Sequence, residues 1–153
     1  MVVKVLIMGL SGAGKTSTAV KLQDHLAKSG FKSVHINSDR VREATENWRF
    51  DDDGRIEASQ WMVKTAKQIL DEAKIDVIIY DTIACLQEQR AILDADITLF
   101  MDIVRMSKYA DTDAAFERPS GCGIVTSFDQ LGEAFGDIVE QITLITENRK
   151  SLS

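Results

Sequence analysis

The sequence predicts an α/β fold, a parallel sheet of five short strands with helices on both faces, and three observations carry that prediction. Five apolar segments rich in β-branched residues alternate with stretches whose apolar residues recur at helical spacing. Apart from 33–37, where His35 sits in an alternating strand, the segments read as continuous apolar runs rather than clean alternations, as a sheet covered on both faces requires. The first of them runs straight into a glycine-rich loop, Gly9, Gly12 and Gly14, and then into a helical pattern.

Residues 2–8 form the first strand, and residues 15 to about 29 the first helix, with Val20, Leu22, Leu26 and Ala27 as its buried side and Gly30 at its stop. Residues 33–37 are a second strand, with Asp39 just beyond its end. Ile56, Met62, Val63, Ala66, Ile69 and Leu70 set a helix over about 56–73. Residues 77–80 make a third strand that ends on Asp81, residues 86–93 a helix, residues 97–101 a fourth strand that ends on Asp102, and residues 123–126 a fifth. A last helix runs from 130 to about 146, with Ser127 or Asp129 as its cap. Residues 104–122 are the longest irregular stretch and hold the single proline, Pro119; long ordered loops in compact domains tend to be functional.

Composition limits the function classes. A chain of 153 residues, without internal repeat, low-complexity tract or linker, suits one domain over 1–153 with one core. With 18 basic and 24 acidic residues the formal charge is 18 − 24 = −6, which repels a phosphate backbone and argues against duplex nucleic acid, while a local basic cleft could still hold a small anion. The apolar opening, residues 1–8, is too short to span a membrane and lacks a signal-peptide cleavage site, so a cytoplasmic protein without a membrane partner is expected. Cys85 and Cys122 have no Cys or His at metal-ligand spacing and read as small buried hydrophobes; His25 and His35 are equally isolated and read as structural.

The chemistry enters at Gly9-Leu10-Ser11-Gly12-Ala13-Gly14-Lys15-Thr16, which fits G-x-x-x-x-G-K-[ST] with a buried strand before it and a helix after it. This is the pattern of a phosphate loop. Its glycines let successive N–H groups turn inward around phosphates, and the helix N-terminus, including Ser17, adds partial positive charge. Lys15 is expected to reach the β- and γ-phosphates of ATP, and the Thr16 hydroxyl to ligate Mg²⁺. The bland alternative is a glycine turn ahead of an ordinary helix. A GTPase would normally add N-K-x-D on a later strand and D-x-x-G directly after the third; the chain has no N-K-x-D, and residues 81–84 after the third strand read Asp-Thr-Ile-Ala; a remodelling ATPase would need a larger domain. Acidic residues ending strands two and three suit a small-molecule kinase.

The segments GLSGAGKT, INSDRVRE (36–43) and FDDDGRIE (50–57) resemble, in order and spacing, the adenylylsulfate kinase family, which carries GLSGSGKS or GLSGAGKS, then DGDNVR, then a phenylalanine, an arginine and ENIRR. The resemblance spans roughly residues 3–145 and is most specific in the first 60. It implies a P-loop three-layer sandwich with strand order 2-3-1-4-5, a homodimer, a role in sulfate assimilation, and transfer of the ATP γ-phosphate to the 3′-hydroxyl of adenosine 5′-phosphosulfate, a small anionic nucleotide. Position by position, Asp39 matches an aspartate that accepts the acceptor hydroxyl's proton or orients it through Mg²⁺-bound water. Arg42 and Arg55 match arginines that hold the acceptor's anionic group, Phe50 an aromatic that stacks on its base, and Phe116-Glu117-Arg118-Pro119 the Tyr-Glu-x-Pro element near the nucleotide base.

Each of these positions has a plainer reading. Asp39 could cap a following helix, Arg42 and Arg55 could be solvated, and Phe50 and Trp48 could be core or lid packing. Asp81 could hold Mg²⁺ through water, serve as the base in place of Asp39, or be structural.

The chain also departs from the family pattern. Asn37, Ser38 and Arg40 stand where DGDN has aspartate, glycine and asparagine, and Ala58 replaces the asparagine of ENIRR. Residues 82–87 lack a Ser-Pro-Tyr-Arg stretch, and a long lid is cut down to about 104–119, which leaves Arg105 and Lys108 as its basic residues before Phe116. One of those two is expected to supply transition-state charge or to pack over the adenine of ATP. The competing expectations are a related kinase for another nucleotide, nucleoside or polynucleotide hydroxyl, and a slow nucleotide-binding regulator.

Overall fold

The computed structural model describes residues 2–152. Among them, β1 (Val3–Met8), β2 (Ser33–Asn37), β3 (Val77–Asp81), β4 (Ile97–Met101) and β5 (Gly123–Val125) form one all-parallel sheet in the order β2-β3-β1-β4-β5. The helices are α1 (Lys15–Lys28), α2 (Ser38–Thr45), α3 (Asp52–Glu72), α4 (Gln87–Leu93), α5 (Ala110–Ala115) and α6 (Leu131–Leu152). Sheet class, strand order and the P-loop kinase fold are those expected.

Side chains alternate across a strand, so each continuous apolar run feeds two separate cores. Val3, Val5, Ile7, Val77, Ile79, Leu99 and Met101 pack on one face with Ala19, Leu22 and Leu26 of α1 and Phe135, Ile138 and Ile142 of α6. Leu6, Met8, Ile78, Tyr80 and Phe100 pack on the other with Val41 of α2, Met62 and Ala66 of α3 and Leu93 of α4. Burial pushes the Tyr80 phenol up to about 12.

The structure moves several details. Val20 is 55% exposed and Ala27 is also exposed; the buried stripe of α1 is Thr18, Ala19, Leu22 and Leu26. The glycine loop fixes the phase of α1 at its first residue, which turns that stripe toward the sheet. Helix α3 begins four residues before the expected 56, at Asp52, because the Asp51 carboxylate accepts the Gly54 N–H at 2.8 Å and caps it. The stretch 104–122 is not wholly irregular, since it holds α5. Helix α6 follows a 3-10 turn, Phe128–Gln130, that contains Asp129; the Ser127 side chain makes no capping bond there, and Gln130 Oε1 instead accepts the Thr126 N–H at 2.8 Å.

The register of β1 against β4 leaves no space beside Gly9. Its φ is +152°, and a Cβ there would lie 2.6 Å from the Met101 carbonyl oxygen, which the sheet holds in place. Gly9→Ala is therefore expected to lower stability by about 1–3 kcal/mol, read as a lower urea midpoint with an unchanged slope.

Candidate functional site

In a parallel sheet the C-terminal ends of neighbouring strands share one edge, and here β1, β3 and β2 deliver the glycine loop, Asp81 and Asn37 side by side. Gly14 takes φ +84° as the residue that precedes α1, a left-handed conformation suited to glycine, and it has no side chain to cap the helix. The first N–H groups of α1 thus stay open toward the cleft, a geometry that draws anions. Lys15 Nζ donates to the Leu10 carbonyl at 3.2 Å. Burial pulls its pKa down, opposed in part by the charges of Asp81 and Asp39, so an incoming anion would restore what desolvation costs the ammonium.

Three side chains meet one carboxylate oxygen. Asp81 Oδ2 accepts the Thr16 hydroxyl at 2.7 Å and the Asn37 amide at 2.9 Å, and it pairs with His35 Nε2 at 2.9 Å. Asn37 Nδ2 also reaches Thr16 Oγ1 at 3.2 Å, while its Oδ1 accepts the Arg40 N–H at 3.1 Å and so caps α2. Asp81 is 1% exposed. Burial alone would raise its carboxyl pKa, but the bonds from His35, Thr16 and Asn37 outweigh it and hold the group below the ordinary carboxylate range. Thr16 and Asp81 together offer adjacent hard oxygen donors of the kind that suit Mg²⁺. Among the described residues no cluster of three His, Cys, Asp or Glu could hold a metal by itself, so any ion here would share its ligands with bound phosphate and water.

These groups line a cavity of about 940 Å³. Ser11, Gly12, Gly14, Lys15, Thr16 and Ser17 form its floor, whereas Gly9, Leu10 and Ala13 are buried beneath the loop. Asp39, Asp81 and Phe50 also line it, joined by Trp48, Tyr109 and Lys108. Asp39 is exposed and does not cap α2, because Asn37 does. Phe50 and Trp48 are exposed rings, not core.

The three predicted site arginines lie elsewhere. Arg42 and Arg55 are neither solvated nor in the lining; they are 7% and 6% exposed. Arg42 donates to the carbonyls of Asn47 at 3.2 Å and Arg49 at 2.9 Å, under the Phe50 ring; Arg55 donates to Thr112 Oγ1 at 3.3 Å. Arg105 pairs with Asp102 at 3.2 Å and is absent from the lining.

Asp102 also receives Arg118, at 2.7 and 3.3 Å, which ties the two roots of the lid together. Within the lid, Asp113 accepts both the N–H and the hydroxyl of Ser107 at 2.8 and 2.6 Å. Its far root docks on the segment after β3, where the Glu117 N–H donates to the Cys85 carbonyl at 2.8 Å and Arg90 donates to the carbonyls of Ala84, Cys85 and Glu117.

Two residues of this cluster belong to no motif: His35 reads from sequence as structural, and Asn37 as a departure from the family's aspartate. Their spacing of two along β2, against an acidic residue that ends the neighbouring strand, is the signal that places both on Asp81. Tyr109 carried no signal beyond its place in the lid.

Fold and site together define a P-loop kinase domain. The family model for adenylylsulphate kinase matches residues 1–121, and the chain belongs to that family. Among solved structures it is similar to the Mycobacterium tuberculosis APS kinase CysC in complex with AMPPNP and APS, with a TM-score of 0.74 and 19% identity over 93% of this chain and 98% of that one. The Chaetomium thermophilum Kti12 in complex with ADP-AlF3 has a TM-score of 0.63 at 16% identity, over 91% and 98%. At those identities the likeness is one of fold. The signal recognition particle 54 kDa protein of Pyrobaculum aerophilum is 31% identical over 86% of this chain and 35% of its own length, so the chain spans about a third of that relative. No helix among the described residues is long and apolar enough to cross a membrane.

Asp81 gives a signed pH dependence. Its folded pKa lies below the unfolded value of about 3.9, so the unfolded state binds more protons as pH falls through that window. The stabilisation is complete above about pH 4 and is lost below it. Asp81→Asn is expected to flatten the acid limb of the unfolding profile followed by circular dichroism; an unchanged limb would show that the three bonds do not favour the charged carboxylate.

Proposed function

We propose that the chain is a Mg²⁺·ATP-dependent phosphotransferase that moves the γ-phosphoryl group to a hydroxyl of a small acceptor carrying a planar base. The observation that carries this reading is the convergence of an uncapped phosphate loop, the Thr16–Asp81 pair and the exposed Asp39 on one cleft whose opposite wall is aromatic. The loop's N–H groups and Lys15 would hold the β- and γ-phosphates and meet the charge that shifts toward ADP. Thr16 would be a metal ligand, with Asp81 fixing its hydroxyl and reaching the ion directly or through water. Mg²⁺, when bound, would neutralise phosphate charge and align the transferring group.

Of the two acids, Asp39 fits the base. It faces the cavity and is exposed, whereas Asp81 Oδ2 already accepts from Thr16, Asn37 and His35 and its proton affinity is lowered. Asp39 would take the acceptor hydroxyl's proton as the new P–O bond forms. Phe50 would stack on the acceptor base. Arg42 and Arg55 would shape this wall from beneath rather than touch the acceptor.

Family membership makes transfer to the 3′-hydroxyl of adenosine 5′-phosphosulfate the first activity to assay. ADP release from Mg·ATP, with and without that compound, decides it: strong stimulation supports this acceptor, and none removes it. Lys15→Ala is expected to keep its circular dichroism spectrum and melting temperature while acceptor-dependent ADP release falls by about 10²-fold or more. If Lys15→Ala and Asp39→Ala both release ADP like the parent, the kinase reading fails.

A further inference from the structure

We propose that the acceptor is an uncharged nucleoside rather than an anionic nucleotide; the inference rests on the kinase reading above and names the substrate class of the same cleft. Two independent features of the acceptor half point there. The first is its rings. Trp48, Phe50 and Tyr109 are 58%, 53% and 49% exposed, come from two separate segments and face one cavity. Large rings left in water around a concavity mark a surface built to stack on a planar ligand.

The second is charge. Apart from the phosphate loop and the buried Asp81, the charged residues lining the cavity are Asp39, Asp111 and Lys108. Two carboxylates thus face one exposed ammonium, which rests over the Tyr109 ring at 5.2 Å. The guanidinium groups that could have answered an anion are committed. Arg42 holds the carbonyls of Asn47 and Arg49, and Arg55 bridges Thr112 at 3.3 Å and Asp52 at 3.5 Å. Turning Arg42 toward a ligand would strip the Asn47 carbonyl of its partner in a buried setting, and turning Arg55 would take its donor from the buried Thr112 hydroxyl. Arg49 is paired with Asp51 and Glu57, and Arg105 with Asp102. Arg40 is exposed outside the lining.

A 5′-phosphosulfate or 5′-phosphate would enter beside ATP's own charge, against Asp39 and Asp111, with Lys108 alone to meet it. A nucleoside brings what the wall accepts: a planar base for the rings and a ribose hydroxyl for Asp39. In the transfer, the bond from the γ-phosphorus to the β–γ bridging oxygen breaks and that oxygen leaves with ADP. The nucleoside oxygen bonds to the phosphorus, and its proton passes to Asp39.

The experiment uses the wild-type chain with Mg·ATP and compares ADP release for adenosine, guanosine, cytidine and uridine with that for their 5′-monophosphates, adenosine 5′-phosphosulfate and gluconate. In parallel, a Trp61→Phe variant leaves Trp48 as the one indole, so that quenching of its fluorescence in the presence of Mg²⁺ and the β,γ-imido analogue of ATP reports acceptor binding without turnover. The best nucleoside is expected to exceed its monophosphate by about tenfold or more in kcat/KM and to quench Trp48; Asp111→Asn is expected to narrow that ratio. Equal or better activity with any 5′-monophosphate, adenosine 5′-phosphosulfate or gluconate overturns the inference, as does stimulation by none of them. Calorimetric titration with the ATP analogue separates the two failures. If the analogue binds, only the acceptor assignment falls; if it does not, the kinase reading falls with it.

Discussion

One carboxylate oxygen holds the working edge of the sheet together. Asp81 Oδ2 receives side chains from the start of α1, from the middle of β2 and from its end, so two neighbouring segments are tied to β3 through a single acceptor that water does not reach. In a low-dielectric setting such a group is stable only when its donors are all in place, and the lowered pKa of Asp81 is the thermodynamic mark that they are. Through Thr16, Asp81 is joined to the start of α1 behind the phosphate loop, and through Asn37, which also caps α2, to the turn that carries Asp39.

The same arrangement accounts for the departure from the family pattern at residue 37. The family pattern has an aspartate where this chain ends β2 on Asn37, and here Asp81 ends the adjacent β3. Asn37 and Asp81 are register partners on adjacent strands, so the amide lies against the carboxylate and both reach Thr16. An amide suits the vacated position because it offers both polarities: its Nδ2 donates toward Asp81 and Thr16 while its Oδ1 caps α2. An aspartate there would set a second negative charge against Asp81.

The sheet was legible because a parallel sheet buried on both faces leaves an unambiguous trace, and the ends of β2 and β4 fall at the residues where the apolar runs stop. The phosphate loop was legible for a related reason, since its geometry demands glycine and lysine at fixed spacing. What escaped depends on how the chain folds back on itself, at short range as well as long. The exposure of Val20 is set by the phase that the loop imposes on α1, which hydrophobicity alone does not encode. Arg42 and Arg55 look like ligand-binding residues in one dimension, and only the carbonyls of Asn47 and Arg49 and the hydroxyl of Thr112 show what already occupies them. His35 is mute until β3 brings Asp81 beside it.

The clasp of Arg118 on Asp102 closes the lid into a loop with both roots fixed. A rigid swing of the whole loop would have to break this pair and the Glu117–Cys85 bond at its far root. The loop's interior carries α5, six residues long and held by Ser107–Asp113, by the bond from Arg55 to the Thr112 hydroxyl and by the Cys85 thiol on the Thr112 carbonyl. So short a helix has little stability of its own. Local opening of the lid is therefore expected first at α5, an event set by helix stability, which solvent and temperature tune, and separate from the chemistry on the phosphate loop.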